Sequence, residues 1–151
     1  MVRRLTGFAD YDTESFAAFR RALDAAARRA SALWQQGHRH GAIDAFAKVL
    51  DGKILDTVYG LSLVDRALVV EMNDYGFYLE ETGRYADAVE VLTTVWNVDA
   101  TRAVVYVNLA DAQFALGRPA EAKTNYARYA GLMAQSGKAA KIPPRVAERS
   151  K

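Results

Sequence analysis

The sequence predicts an all-α chain of paired helices in about three repeats. Three observations predict it. Apolar residues recur in steps of three and four, and no stretch sustains the two-residue alternation of a strand. Gly83 and Gly117 stand 34 positions apart, and at that offset the chain meets itself: Gly76 falls on Ala110, Tyr75 on Leu109, Ala88 on Ala122 and Leu92 on Tyr126. Finally, "ETGRYADAVEVL" (80–91) and "ALGRPAEAKTNY" (115–126) read as one phrase, in which a glycine ends one apolar run and an alanine lies five positions into the next.

Taken in order, the first element is the longest. Phe16, Phe19, Leu23, Ala26, Ala30 and Leu33 form a helical stripe from an N-cap at Asp12 or Thr13 up to Gly37. Such a stripe packs on its own domain or drives a coiled-coil partner. A weaker copy of the repeat phrase follows in "QQGHRHGAIDAFAKVL", with Gly37, Ala42 and Phe46 in the glycine, alanine and aromatic places. Gly37 and Gly83 are 46 positions apart, so about 12 extra residues are expected between these copies, within 51–68. Leu68, Met72, Tyr75 and Leu79 then form one stripe before Gly83, and Ala88, Val91, Leu92 and Val95 another after it. Gly83 suits a helix end because glycine enters the left-handed conformation without steric cost. Thr101 is the expected N-cap of the next helix, and Pro119 opens the one after, where a missing N–H costs nothing. Pro143 and Pro144 break any continuous helix, and Pro144 can start a short new turn. The organisation expected is a repeat domain over 1–135, with repeats at about 23–56, 69–102 and 103–135, then a basic tail over 136–151 that is either a cap or disordered.

Composition narrows the function classes. The 151 residues suffice for one domain with a proper core, burying roughly 70% of the surface that the unfolded chain exposes. At 51% hydrophobic and 25% charged, the chain has the balance of a folded domain. It has no cysteine, which excludes disulfides and thiolate metal sites and fits a reducing, cytoplasmic compartment. The opening "MVRRLTGFADYDTESF" lacks a signal-peptide apolar run, and no stretch approaches the ~18 apolar residues of a membrane span, so neither export by that route nor insertion is expected. A net charge of +2 is a small surplus, gathered in "GKAAKIPPRVAERSK"; nucleic-acid binding is not expected from it.

No residues converge as chemistry requires. His38 and His40, in "GHRHG", are the only histidines, and carboxylates alone would have to complete a metal site, so they are taken as turn residues. Neighbouring acids such as Glu80 and Glu81, or Asp10 and Asp12, are not a general acid–base pair, because that work needs two groups facing one pocket. No glycine-rich phosphate loop is present. We expect no enzyme, no cofactor, no metal and no small-molecule substrate.

With these residues on the page, the chain resembles the tetratricopeptide repeat family, whose 34-residue helix-turn-helix unit keeps small residues where its helices touch. Gly76 and Ala110 take the small place of the first helix, Ala88 and Ala122 that of the second, and Tyr85 the aromatic place after the turn. There are departures: Met72 and Tyr106 stand where the family often has Trp, Ala100 where proline commonly closes a repeat, Arg29 in an apolar place and Pro119 in that of the turn aromatic. The resemblance implies a right-handed solenoid of antiparallel helix pairs, with a binding groove on the first helices of each pair. Its residues would be Arg28, Ser31 and Trp34; Asn73, Asp74, Phe77 and Glu81; and Val107, Asn108, Asp111 and Phe114. Aromatics would supply anchoring area and the carboxylates would select a partner protein or peptide with basic and apolar side chains. Trp34, Phe77 and Phe114 have a second reading as core or cap contacts. The clamp by which some family members hold a chaperone's C-terminal carboxylate is disfavoured, since its places hold Ala27, Ser31, Asp74, Val104 and Asn108. The function expected is an adaptor or scaffold; the alternative is an immunity or inhibitor protein that neutralises a toxin or enzyme by covering it.

Overall fold

The structure, a computed structural model, describes residues 13–50 and 68–151, with side chains from residue 17 onward. Among these every regular element is helical: α1 (Thr13–Gln35), α2 (Arg39–Ala47), α3 (Val69–Glu81), α4 (Tyr85–Val98), α5 (Ala103–Ala115), α6 (Pro119–Gln135) and α7 (Pro144–Glu148), with a 3-10 turn at Ala139–Lys141. The expected insertion within 51–68 and the candidate cap at Asp12 lie outside the described residues, apart from Leu68. No helix among the described residues is long and apolar enough to cross a membrane. The chain divides into two compact units, Met1–Asp74 and Tyr75–Lys151.

One turn recurs throughout. Gly37, Gly83, Gly117 and Gly137 all have φ between 70° and 81°, the left-handed region. At Gly83 the glycine N–H donates to Glu80 O (3.0 Å) and the Arg84 N–H to Leu79 O (2.8 Å). The same pair recurs from Gly37 and His38 to Trp34 and Leu33, from Gly117 and Arg118 to Phe114 and Gln113, and from Gly137 and Lys138 to Ala134 and Met133. This double bond satisfies carbonyls that a helix end leaves open, and it needs a residue free to take positive φ. After the first three turns the residue following glycine is already the N-cap of the next helix: His38, Arg84 and Arg118, none with a side-chain cap bond. Their carbonyls accept the N–H of Ala42, Ala88 and Ala122 at 2.9–3.1 Å. That is why the alanine stands five places after the glycine: it is the first residue of the new helix to turn inward, and all three are fully buried.

In the first unit α1 packs on α2. Leu23, Ala26 and Ala30 of the expected stripe are buried, Phe19 and Leu33 half-buried, and Ala42, Ile43 and Phe46 of α2 close the contact. A stripe that alternates large and small residues lets one helix settle into another. This places the long N-terminal helix against its own domain.

In the second unit the predicted stripes are the core. Tyr75 and Leu79 of α3, and Ala88, Val91, Leu92 and Val95 of α4, are all buried. Gly76 marks the closest approach: a Cβ there would lie 2.6 Å from Cγ and Cδ2 of Leu92, itself fully buried. Between α5 and α6, Tyr106, Val107, Ala110, Ala122, Tyr126 and Tyr129 form one cluster that also takes Val146 of α7. Burying a side chain of this size stabilises by roughly 1.5–3 kcal/mol. Val146 is therefore what ties the short α7 to the domain.

Two departures from the family pattern explain each other. The Tyr106 hydroxyl donates to Ala100 O (2.7 Å) and accepts from Trp96 Nε1 (3.0 Å). A tyrosine in the tryptophan place thus pins the turn in which Ala100 replaces proline. The N-cap expected at Thr101 is corrected: Arg102 caps α5. Thr101 instead gives both its amide N–H (3.1 Å) and its hydroxyl to Asp99 Oδ1, a local bond that holds it in the turn rather than at the helix start.

Three outcomes are expected in urea unfolding. Gly76→Ala overpacks against Leu92 and should cost about 1–3 kcal/mol, whereas Gly131→Ala, at an exposed position of α6 with nothing near a new Cβ, should gain up to about 1 kcal/mol from helix propensity. Tyr106→Phe strands Trp96 Nε1 and Ala100 O and should cost about 1–3 kcal/mol.

Candidate partner-binding site

The groove residues expected from sequence fall into the two units and are described there in turn. In the first unit Arg28 is exposed on α1, and Trp34 is half-buried near its C-terminus. The Arg39 guanidinium lies 4.5 Å from the Trp34 ring centroid, so this indole is engaged by a cation of its own unit. Asn73 is buried and Asp74 half-buried on α3. Nearby, Glu71 is held above the usual carboxylate range, first by burial and then by its hydrogen bond with Asp24, with the charges of Asp24 and Asp74 adding to it.

In the second unit Phe77 is half-buried, its ring 5.9 Å from that of Tyr78 and inclined at 54°, and Glu81 is exposed. Asn108 is buried on α5. Asp111 is the centre of the site. It is only 8% exposed, and three side chains converge on its carboxylate. Arg145 Nε donates to Oδ1 (3.0 Å) and Oδ2 (3.1 Å), and its Nη2 to Oδ2 (2.8 Å). Arg149 Nη1 donates to Oδ1 (3.1 Å), and the Tyr126 hydroxyl donates to Oδ1 (2.6 Å). Arg149 also bonds the Tyr126 oxygen (3.1 Å), and its guanidinium lies 4.5 Å from the Phe114 ring centroid. Phe114 remains 39% exposed.

The local sequence explains the assembly. Asp111 and Phe114 are three apart on α5 and share a face, while Arg145 and Arg149 are four apart and share a face of the α7 segment. Pro144 begins α7 at a place where its missing N–H costs nothing. A guanidinium is planar and forked, so it meets both oxygens of one carboxylate and also stacks on a ring. Tyr126 is kept neutral, its pKa pushed up to about 12 by burial and by the bond to Asp111. The phenol is therefore a fixed donor toward the carboxylate.

Tyr126 and the two arginines were not among the residues expected at the site. Tyr126 was met only as the counterpart of Leu92 in the repeat, and it is both core and site: the residue is fully buried while its hydroxyl reaches Asp111. The arginines sat in a tail whose charge suggested solvent; "PPRVAER" did carry a signal, a helix-starting proline and two arginines at helical spacing beside an apolar residue. Glu80 is a further member. Burial, then the charges of Glu81 and Asp111, push its pKa up to about 7, with Arg145 pulling the other way.

Antiparallel helix pairs, each turned by the same glycine and closed by the same alanine, define an all-α helical-repeat protein. The model of one family, the tetratricopeptide repeat, matches residues 79–130. The fold is similar to the NMR structure of the first such domain of human RPAP3, at 18% identity and a TM-score of 0.62, covering 84% of this chain and 91% of that one. It is equally similar to the first such domain of Spaghetti (RPAP3) bound to the HSP90 peptide SRMEEVD, at 18% identity and a TM-score of 0.63, covering 85% and 92%. At that identity the likeness speaks for the fold alone. No curated protein matches the chain by sequence.

Glu80 makes stability depend on pH. Its carboxyl takes its proton more tightly in the folded chain (about 7) than at the ordinary value of 4.5. The stability this contributes is present below pH 4.5 and is lost as pH rises through 7. Glu80→Gln should therefore raise Tm more at pH 8 than at pH 5 in paired thermal melts; an equal rise at both would show that Glu80 titrates normally.

Proposed function

We propose that this chain is an adaptor that binds a partner protein or peptide along the groove face of its first helices, in the cytoplasm, without catalysing a reaction. The residues assigned to that face are Arg28, Trp34, Asn73 and Asp74 in the first unit and Phe77, Glu81, Asn108, Asp111 and Phe114 in the second. Carboxylates beside aromatic rings select a partner with basic and apolar side chains.

The observation that carries this reading is the behaviour of Asp111 and Phe114. They already hold two arginines of a short helical segment, one guanidinium forked on the carboxylate and the other bonded to it and lying on the ring. A surface that binds such a segment of its own chain has the chemistry to bind one from another protein. The fold's likeness to a domain solved with a peptide is in keeping with this. The chaperone-tail clamp is not part of the proposal, because a carboxylate-bearing tail needs cations and the clamp places hold Ala27, Ser31, Asp74, Val104 and Asn108.

Affinity purification of the tagged full chain beside a Phe77→Ala/Asp74→Ala variant tests the reading. Loss of an aromatic anchor typically costs at least about 2 kcal/mol of binding, about 30-fold in affinity. The partner should therefore be lost from the variant while its melting curve stays close to that of the parent. A partner recovered equally by both proteins would refute the groove assignment.

A further inference from the structure

The site built around Asp111 is filled from within. All of its charged partners come from α7 and the residue that follows it, and none from α5 or α6. The filling segment is slight. It is a five-residue helix with one buried side chain, Val146, and the side chains of Arg145 and Arg149 stay 41% and 34% exposed. A helix of that length has no stability of its own. The receiving side is built: Asp111 is buried, Tyr126 is fixed as a donor, and Phe114 offers a ring still partly open to solvent. If the segment leaves, the Asp111 carboxylate keeps only the Tyr126 phenol as a donor, so the vacated site favours another guanidinium.

We propose that Asp111, Tyr126 and Phe114 form a receptor for a partner's helix carrying two arginines four residues apart with an apolar residue beside the first, and that residues 144–149 occupy it as an exchangeable internal stand-in. The proposal rests on the groove-binding reading and names the partner's chemistry at the α5 end of that groove. The stand-in shows the required pattern directly, Arg145-Val146-Ala147-Glu148-Arg149. Arginine rather than lysine is specified, because Arg145 meets both carboxylate oxygens at once and Arg149 combines a bond to Asp111 with stacking on Phe114. A longer helix bearing the same pattern makes these contacts and adds its own, which is how it displaces a segment of five helical residues. Until it does, the segment lowers the apparent affinity by keeping only a fraction of the molecules open.

The probe is a fluorescein-labelled peptide of residues 141–151, titrated by anisotropy against three full-length proteins: the parent, the opened variant Arg145→Ala/Val146→Ser/Arg149→Ala, and the opened variant with Asp111→Asn added. The opened variant should bind the peptide at least about tenfold more tightly than the parent. Binding should disappear with Asp111→Asn, and also when both peptide arginines are replaced by lysine. An opened variant that keeps its helical circular dichroism yet ignores the peptide overturns the proposal, leaving α7 as a structural cap. If the opened variant does not fold, amide hydrogen exchange on the parent decides: exchange of residues 145–150 well ahead of α5 and α6 supports an exchangeable segment, and exchange only with global unfolding overturns it. The two readings fail separately. Peptide capture through Asp111 with a cellular partner indifferent to Phe77 and Asp74 sinks the wider groove alone, whereas a partner lost with Phe77 and Asp74 beside no peptide capture sinks the internal stand-in alone.

Discussion

The constraint on which the rest depends is the coupling of a left-handed glycine to a buried alanine five residues later. The glycine lets the chain reverse while satisfying two helix-end carbonyls. The following residue's carbonyl then receives the alanine's N–H, so the turn delivers a small side chain to the contact point at a fixed distance along the new helix. With the alanine fully buried, the paired helices come close enough for Leu92 and Tyr126 to be fully buried as well. A larger residue at either place separates the helices, and a non-glycine at the turn strains it. The side-chain N-caps that usually begin helices are absent at His38, Arg84 and Arg118, because the preceding turn already positions these residues.

The fourth such turn, at Gly137, breaks the pattern and thereby makes the site. Its successor Lys138 leads into a 3-10 turn rather than a full helix, and Pro143 and Pro144 redirect the chain into α7. Val146 enters the α5–α6 cluster, and that single anchor brings Arg145 and Arg149 to Asp111. One exposed ion pair contributes little. Here a carboxylate whose other donor is a single phenol is matched by two guanidinium groups, so the charge arrangement and the apolar anchor support each other. Glu80 joins the same neighbourhood: burial first, and then the charges of Glu81 and Asp111, push its pKa up to about 7.

Function follows from this arrangement through chemistry rather than through fold. Helix pairs provide a face; what the face recognises depends on the groups placed there. Asp111, Tyr126 and Phe114 combine a buried acceptor, a fixed donor and a π surface, a set matched to arginine. Trp34 with Arg39 shows the same aromatic–guanidinium preference within the first unit.

The all-α class, the helix pairs and their turn positions were legible in the sequence, because the 3.6-residue period and the glycine–alanine spacing are local signals that each helix carries in its own side chains. Leu79, Ala88, Leu92 and Ala122 were placed in the core by that period alone. The fate of Asp111 was not legible. The family resemblance put it on the groove face, and nothing within its own helix announces that Arg145, 34 positions later, closes on it. Nor does the basic character of 136–151 distinguish a solvated tail from a docked helix, since the same arginines suit both. Only the tertiary structure decided this, because the deciding contact is long-range: Val146 packs into the cluster formed by two other helices, and the charges follow the side chain that is anchored there.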